Sequence, residues 1–298
     1  MSNLELLVSQ SNVFNGIHQS FDTAKYALLG VPFDVTSTYR TGARFGPTAI
    51  RQASLNIETY SFRSNFDSEF LRLIDLGDLH VSSDPEQTTD MLGLVVKDLL
   101  VGKKMPIVIG GEHTITLGVL KGLISKPQKT AMVVFDAHLD LRKEFLGLSL
   151  SHTTFMRLIN ENIKPAKIIE VGTRAVCREE LDYSKKNGID YITSHQIRQK
   201  GTSEIIKAIN NTLSSYENVY LSIDMDILDP AYAPGVQNPE PEGIKTNELI
   251  DILCSLSDNK IIGFDVVEVA PIYDTGITAI TAAKIILELL SAIEKTEN

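Results

Sequence analysis

The chain has 298 residues, 43% hydrophobic and 22% charged, an ordinary globular composition with enough length to bury a core. A formal net charge of -10 and a sequence pI near 5.1 argue against a nucleic-acid partner, because phosphate binding needs a basic patch. Two cysteines, Cys177 and Cys254, are too few for a disulfide framework and read as reduced bystanders.

The first residues, Met1-Ser2-Asn3-Leu4-Glu5, lack the charged and apolar regions of a signal peptide, and no stretch reaches the ~18–20 apolar residues of a membrane span. The expected location is cytoplasmic, with no membrane partner. Residues 1–25 read as a short helix or irregular lead-in. A first strand follows at Tyr26 to Pro32, then a Gly-rich polar loop from Asp34, with Pro47 opening a helix to about Ser54. Leu71 to Gly77 reads as a strand and Pro85 to Leu100 as a helix. Met105 to Ile109 is a strand ending in Gly110-Gly111-Glu112-His113, and Thr114 to Leu123 has helical spacing. The buried run Ala131 to Phe135 leads into Asp136-Ala137-His138-Leu139-Asp140.

A loop to Ser151 precedes His152 and a helix to about Asn162. Lys167 to Gly172 is a strand, Arg178 to Asn187 a helix, Asp190 to Ile192 a short strand and Ser203 to Ser215 a helix. Val219 to Ile223 is a strand that ends in Asp224-Met225-Asp226. Asp229 to Gly243, with four prolines, must be a rigid irregular loop. Thr246 opens a helix to about Leu256, Lys260 to Val266 is a strand leading to Glu268, and a helix covers Ile277 to Ile293. Strands alternate with helices throughout, which predicts an α/β fold with a mostly parallel sheet and helices on both faces. No linker, repeat or low-complexity tract divides the chain.

Four strands thus end in polar residues of one kind. Ligand crevices of open parallel sheets lie beyond the carboxyl ends of the strands, so these residues are expected to converge. His113, Asp136, His138, Asp140, Asp224 and Asp226 make four carboxylates and two imidazoles. Extended geometry through Asp136, His138 and Asp140 would aim all three to one side. Such a set is costly to hold together without a cation. Four negative charges balance two divalent ions, and carboxylate dominance without cysteine favours a hard or borderline ion such as Mn²⁺. Each segment alone has a plain reading as a turn or a cap; all three at strand ends do not.

Gly110-Gly111-Glu112-His113, Asp136-Ala137-His138-Leu139-Asp140 and Ser222 to Pro230 resemble, in this order, the three signature segments of the ureohydrolases, the family of arginases and agmatinases. The resemblance runs from the loop around Arg40 to Ile280. It implies one ureohydrolase domain over residues 1–298, a three-layer arginase-like fold with a sheet of about eight strands, and two Mn²⁺ per subunit. By matching positions, His113, Asp136, Asp140 and Asp224 would hold one ion. His138, Asp136, Asp224 and Asp226 would hold the other. A metal-bound hydroxide would attack the guanidinium carbon of a small guanidino substrate. Asp140 would orient the hydroxide and relay its proton, His152 would be the proton shuttle, and Glu268 would pair with the substrate guanidinium. A homotrimer or homohexamer is implied by the family alone.

The segments around Arg40, Arg142 and Tyr232 lean toward agmatinase, which hydrolyses agmatine to putrescine and urea in polyamine biosynthesis. In arginases the position matching Arg142 is usually an asparagine. Glu242 stands where many agmatinases have glycine, and the histidine that often follows the acid at Asp274 is missing. Both positions could line the substrate-tail end, with Glu242 facing a distal amine or solvent. N1-aminopropylagmatine, guanidinobutyrate and arginine stay open as substrates, as does a non-catalytic binding role.

Overall fold

The computed structural model describes residues 3–9, 13–17 and 19–297. Eight strands form its central sheet: Tyr26–Val31 (β1), Leu73–Leu79 (β2), Met105–Gly110 (β3), Thr130–Phe135 (β4), Lys167–Thr173 (β5), Asp190–Thr193 (β6), Asn218–Asp224 (β7) and Ile261–Val267 (β8). They are parallel, in the order β2-β1-β3-β8-β7-β4-β5-β6. The expected lead-in is a helix, Asn3–Leu7, and a two-residue strand, Val8–Ser9, pairing antiparallel with the β2 edge; positions 1, 2, 10–12 and 18 lie outside the described residues.

Parallel strands covered on both faces must be apolar throughout rather than alternating. All six residues of β1 and of β4 are buried. Successive side chains enter opposite cores. Leu28, Ile107, Val133, Leu221 and Val266 meet helices Gly46–Ser54 (α1), Thr202–Leu213, Thr246–Ser255 and Ile277–Glu297 on one side. Leu29, Val108, Met132 and Val134 meet Pro85–Val101 (α2), Ile115–Leu123 (α3) and Phe155–Leu158 on the other. Each such aliphatic side chain contributes roughly 1.5–3 kcal/mol by burial. Asp84 starts α2 by accepting from Glu86 N at 2.9 Å, with Pro85 at the first position. Helices α2 and α3 approach through glycine: a Cβ at Gly122 would lie 2.5 Å from Gly93 O.

One expectation needs correction, and two elements are additional. The helix expected from His152 starts only at Phe155, and its second half, Ile159–Ile163, is a widened π turn closed by Lys164 at φ 57°. The helix Ser194–Lys200 is an added element, started by a capping box between Thr193 and Gln196. A small hairpin, Tyr60–Ser61 with Phe66–Asp67, lies outside the main sheet. Among the described residues no helix is long and apolar enough to cross a membrane.

Candidate active site

The site occupies the carboxyl ends of β3, β8, β7 and β4, four strands adjacent in the sheet. After β3 the chain passes so close to Phe33 that a Cβ on Gly111 would lie 1.7 Å from Phe33 O. Only glycine fits there, and it sets where His113 emerges. Glu112 turns away from the cleft. Its buried carboxylate accepts from Val35 N (2.9 Å), Thr36 N (2.7 Å) and Thr114 Oγ1 (2.7 Å), so it fastens the loop after β1.

Strand β4 ends at Phe135, so extended geometry does not carry through Asp140 as expected. Asp136 Oδ1 instead accepts from His138 N at 2.6 Å, and Asp140 sits at φ 51°. The three side chains still meet, by a turn and one left-handed residue rather than by strand alternation. Left-handed backbone is tolerated by aspartate but costs about 1–2 kcal/mol. Beyond β7, Asp224 Oδ1 accepts from Asp226 N at 2.7 Å and leaves Oδ2 free to face the cleft.

His113 Nδ1 lies 3.0 Å from Asp136 Oδ2, 3.1 Å from Asp224 Oδ2 and 3.7 Å from Asp140 Oδ2. His138 Nδ1 lies 3.0 Å from Asp226 Oδ2 and 3.3 Å from Asp136 Oδ1. Two sets of potential ligand atoms, His113 with Asp136 and Asp140, and Asp136 with His138 and Asp226, each fall within 4.8 Å of one another. Asp136 belongs to both.

The electrostatics call for positive charge here. Burial disfavours ionisation of Asp140 and Asp224, and neighbouring carboxylates add to this, raising both far above the usual carboxylate range. Burial opposes a proton on His113, but the Asp136 and Asp140 carboxylates outweigh it and lift the imidazole to about 9. Yet Nδ1 is buried and donates no hydrogen bond to any of these oxygens. Its other nitrogen, Nε2, lies 2.9 Å from Ser222 Oγ. A lone pair on Nδ1 directed among three carboxylates fits a metal ion rather than a proton.

His152 is buried against the loop after β1. Its Nδ1 lies 3.3 Å from Thr36 Oγ1 and its Nε2 3.1 Å from Thr38 Oγ1. Burial, with the positive charges of His138 and His113, pulls its pKa down to about 4. Glu268, at φ 68°, accepts from His113 N through Oε1 at 2.7 Å; Oε2 is buried without a partner. Burial, then Asp224 and Glu112, raise its pKa well above the usual range.

A cleft of about 410 Å³ connects His138, Asp140, His152, Asp224, Asp226 and Glu268. Arg142, Phe145, Val176, Asn238 and Glu240 line it as well. Arg142 lies over the Phe145 ring at 4.7 Å. Glu242 is not in the cleft: its side chain is 77% exposed and meets Arg198 Nη2 at 3.3 Å. Asp274 also turns away, accepting from Gly276 N (2.8 Å) and Thr278 N (2.7 Å) to start the last helix.

Two features escaped the sequence reading. Arg174 donates to the carbonyls of Asp226 (2.6 Å), Glu240 (2.8 Å) and Pro241 (2.9 Å), stapling the proline-rich loop to the end of β7. Asp265, fully buried in β8, was legible only as an acid inside an apolar strand, which is costly unless partnered.

With this geometry in view, the comparisons are decisive. A family model described as the arginase family matches residues 24–291. The chain belongs to the arginase family. It is accordingly a hydrolase of guanidino carbon–nitrogen bonds. It is 36% identical to the agmatinase of Bacillus subtilis over 95% of this chain and 97% of that one. It is 37% identical to the N(1)-aminopropylagmatine ureohydrolase of Thermococcus kodakarensis over 92% of each. The solved agmatine ureohydrolase of Thermoplasma volcanium superposes with a TM-score of 0.88 at 34% identity, covering 98% of this chain and 97% of that one.

Proposed function

We propose that this enzyme hydrolyses agmatine to putrescine and urea, using two Mn²⁺ per chain. The observation that carries the reading is the unpartnered Glu268 Oε2 in the same cleft as His138, Asp140, Asp224 and Asp226, beside which His113 and Asp136 complete the two sets of ligand atoms. His113, Asp136, Asp140 and Asp224 would hold one ion, and His138, Asp136, Asp224 and Asp226 the other. The ions would supply an activated water as nucleophile.

The remaining work falls to the chain itself. Glu268 pairs with the guanidinium and fixes its plane, for which a carboxylate with one free oxygen is suited. Asp140 accepts the proton that the nucleophile loses. His152 passes a proton to the departing amine. Its low pKa, about 4, keeps the imidazole uncharged at rest, so it acts as a relay and not as a standing acid.

Glu240 supports a cationic tail. It lines the cleft, and its carboxylate makes no hydrogen bond or ion pair among the described residues. The same observation, with the Thermococcus relative, favours N1-aminopropylagmatine as a second reading. Arg142, which pairs with no carboxylate among the described residues, is the group that a guanidinobutyrate or arginine carboxylate would meet. Mn²⁺-loaded enzyme should release urea from agmatine far faster than from N1-aminopropylagmatine, guanidinobutyrate or arginine. Urea from arginine in preference would overturn the reading. The expected assembly is a homotrimer or homohexamer, and a monomer in light scattering would contradict that part.

A further inference from the structure

Behind His113 lies a buried chain of hydroxyls ending in a carboxylate. His113 Nε2 lies 2.9 Å from Ser222 Oγ, which lies 2.6 Å from Asp265 Oδ1. Asp265 Oδ2 accepts from Thr116 Oγ1 at 2.9 Å and from the Tyr220 hydroxyl. His113, Thr116, Tyr220, Ser222 and Asp265 are all at most 1% exposed. Among the described residues no charged side chain bonds to Asp265, and it does not line the cleft.

The direction of each hydrogen bond follows from who can donate. Three hydroxyls converge on Asp265, and an ionised carboxylate only accepts. The 2.6 Å contact from Ser222 falls in the range of a hydroxyl bonded to a carboxylate anion. The serine has one proton and gives it to Asp265. What it offers His113 is therefore a lone pair, so Nε2 carries the ring proton. Nδ1 is left as a lone pair toward Asp136, Asp140 and Asp224.

We propose that Asp265 is a positioning residue that acts through Ser222 to fix the His113 tautomer that can bind a metal ion. The inference rests on His113 being a ligand. It adds that the ligand's proton is placed through the sheet's own side chains, by a residue on strand β8 beside Ser222.

The test is Asp265→Asn, which keeps the shape and reverses the proton order. The amide oxygen remains opposite Thr116 and Tyr220, which need an acceptor. The amide N–H then faces Ser222, whose own proton turns toward His113 Nε2, and the ring proton moves to Nδ1. Titration with Mn²⁺, read by electron paramagnetic resonance, should show one ion weakened about 10–100-fold and the other unchanged. The melting temperature of the metal-free protein should stay near that of the parent, whereas a purely structural role would lower it and weaken both ions alike. Ser222→Ala should weaken the same ion, and adding Asp265→Asn to it should do no further harm. Unchanged binding in either variant, or additive losses, would overturn the proposal. If Asp265→Asn does not fold, the Ser222→Ala titration decides by itself. Enzyme that binds two Mn²⁺ normally but releases no urea would count against the proposed reaction and leave this inference standing.

Discussion

Glu268 and His113 are joined by a single hydrogen bond across the sheet: His113 N donates to Glu268 Oε1 at 2.7 Å. The bond holds one oxygen of the glutamate and leaves the other without a partner, the oxygen proposed to meet the guanidinium. Glu268→Gln can keep the backbone bond through its amide oxygen while losing the charge. We expect kcat/KM to fall by roughly 10²-fold or more, as for a buried charge pair deprived of one partner. The Mn²⁺ content should not change. A variant with parental kcat/KM would remove Glu268 from the guanidinium site.

The ligand sets share Asp136, so its loss should be felt twice. Asp136→Ala is expected to lose both ions, while His138→Ala should mainly weaken one. Metal analysis of the two dialysed variants separates these outcomes. Equal loss in both would contradict the division.

In the proposed reaction His152 moves a proton and holds no metal. His152→Asn should lower kcat by about 10²–10⁴-fold, the usual range for a lost acid–base group. Mn²⁺ affinity should be unaffected. A small change in kcat with a large change in metal content would assign the residue to the metal centre instead.

Away from the cleft, Arg51 is fully buried on α1. It bonds Asp75 through Nε and Nη2, both at 2.8 Å, and Asp78 through Nη1 at 2.6 Å. Arg51→Met leaves two carboxylates facing an apolar helix. The expected cost is about 3–5 kcal/mol, seen as a lower denaturation midpoint. A neutral effect would mean that water reaches Asp75.

Asp34 gives the loop after β1 a pH dependence. Burial alone would raise its pKa, but bonds from Ser37, Gly42 (2.5 Å) and Gln237 (3.0 Å), with Arg44 nearby, lower it below the usual 3.8. The folded state thus holds the carboxylate more strongly than the unfolded state does. Its contribution is complete above the unfolded value and is lost as pH falls through the lower folded value. Below about pH 4 the stability of the parent should decline more steeply than that of Asp34→Asn. Parallel pH profiles would refute this.

Much of the molecule was legible in the sequence because apolar runs carry a period and strand ends carry charge. His138, Asp140, His152, Asp224, Asp226 and Glu268 line one cleft, and His113 and Asp136 lie within ligand distance of its carboxylates and imidazole. What escaped depends on distances that no local pattern encodes. Glu242 and Glu240 are two residues apart in one proline-rich loop, yet only Glu240 lines the cleft. The left-handed turn at Glu242, φ 66°, sends its side chain outward. Asp140 illustrates the opposite case, where the right convergence was expected for the wrong reason. Its side chain arrives through a left-handed residue and not by strand alternation.

The position of β8 has a consequence for how the chain folds. It is the latest strand in sequence, yet it lies between β3 and β7. Until residues 261–267 dock, these two cannot be bridged, and His113 lacks the carboxylate that orients its backbone. Pairing strands so far apart in sequence is slow, because a large loop must close first. A chain still emerging from the ribosome could build the β7–β4–β5 edge, but not the cleft. Ion capture by the complete ligand set therefore comes late, and bound Mn²⁺ would report a fully assembled sheet rather than help to start one.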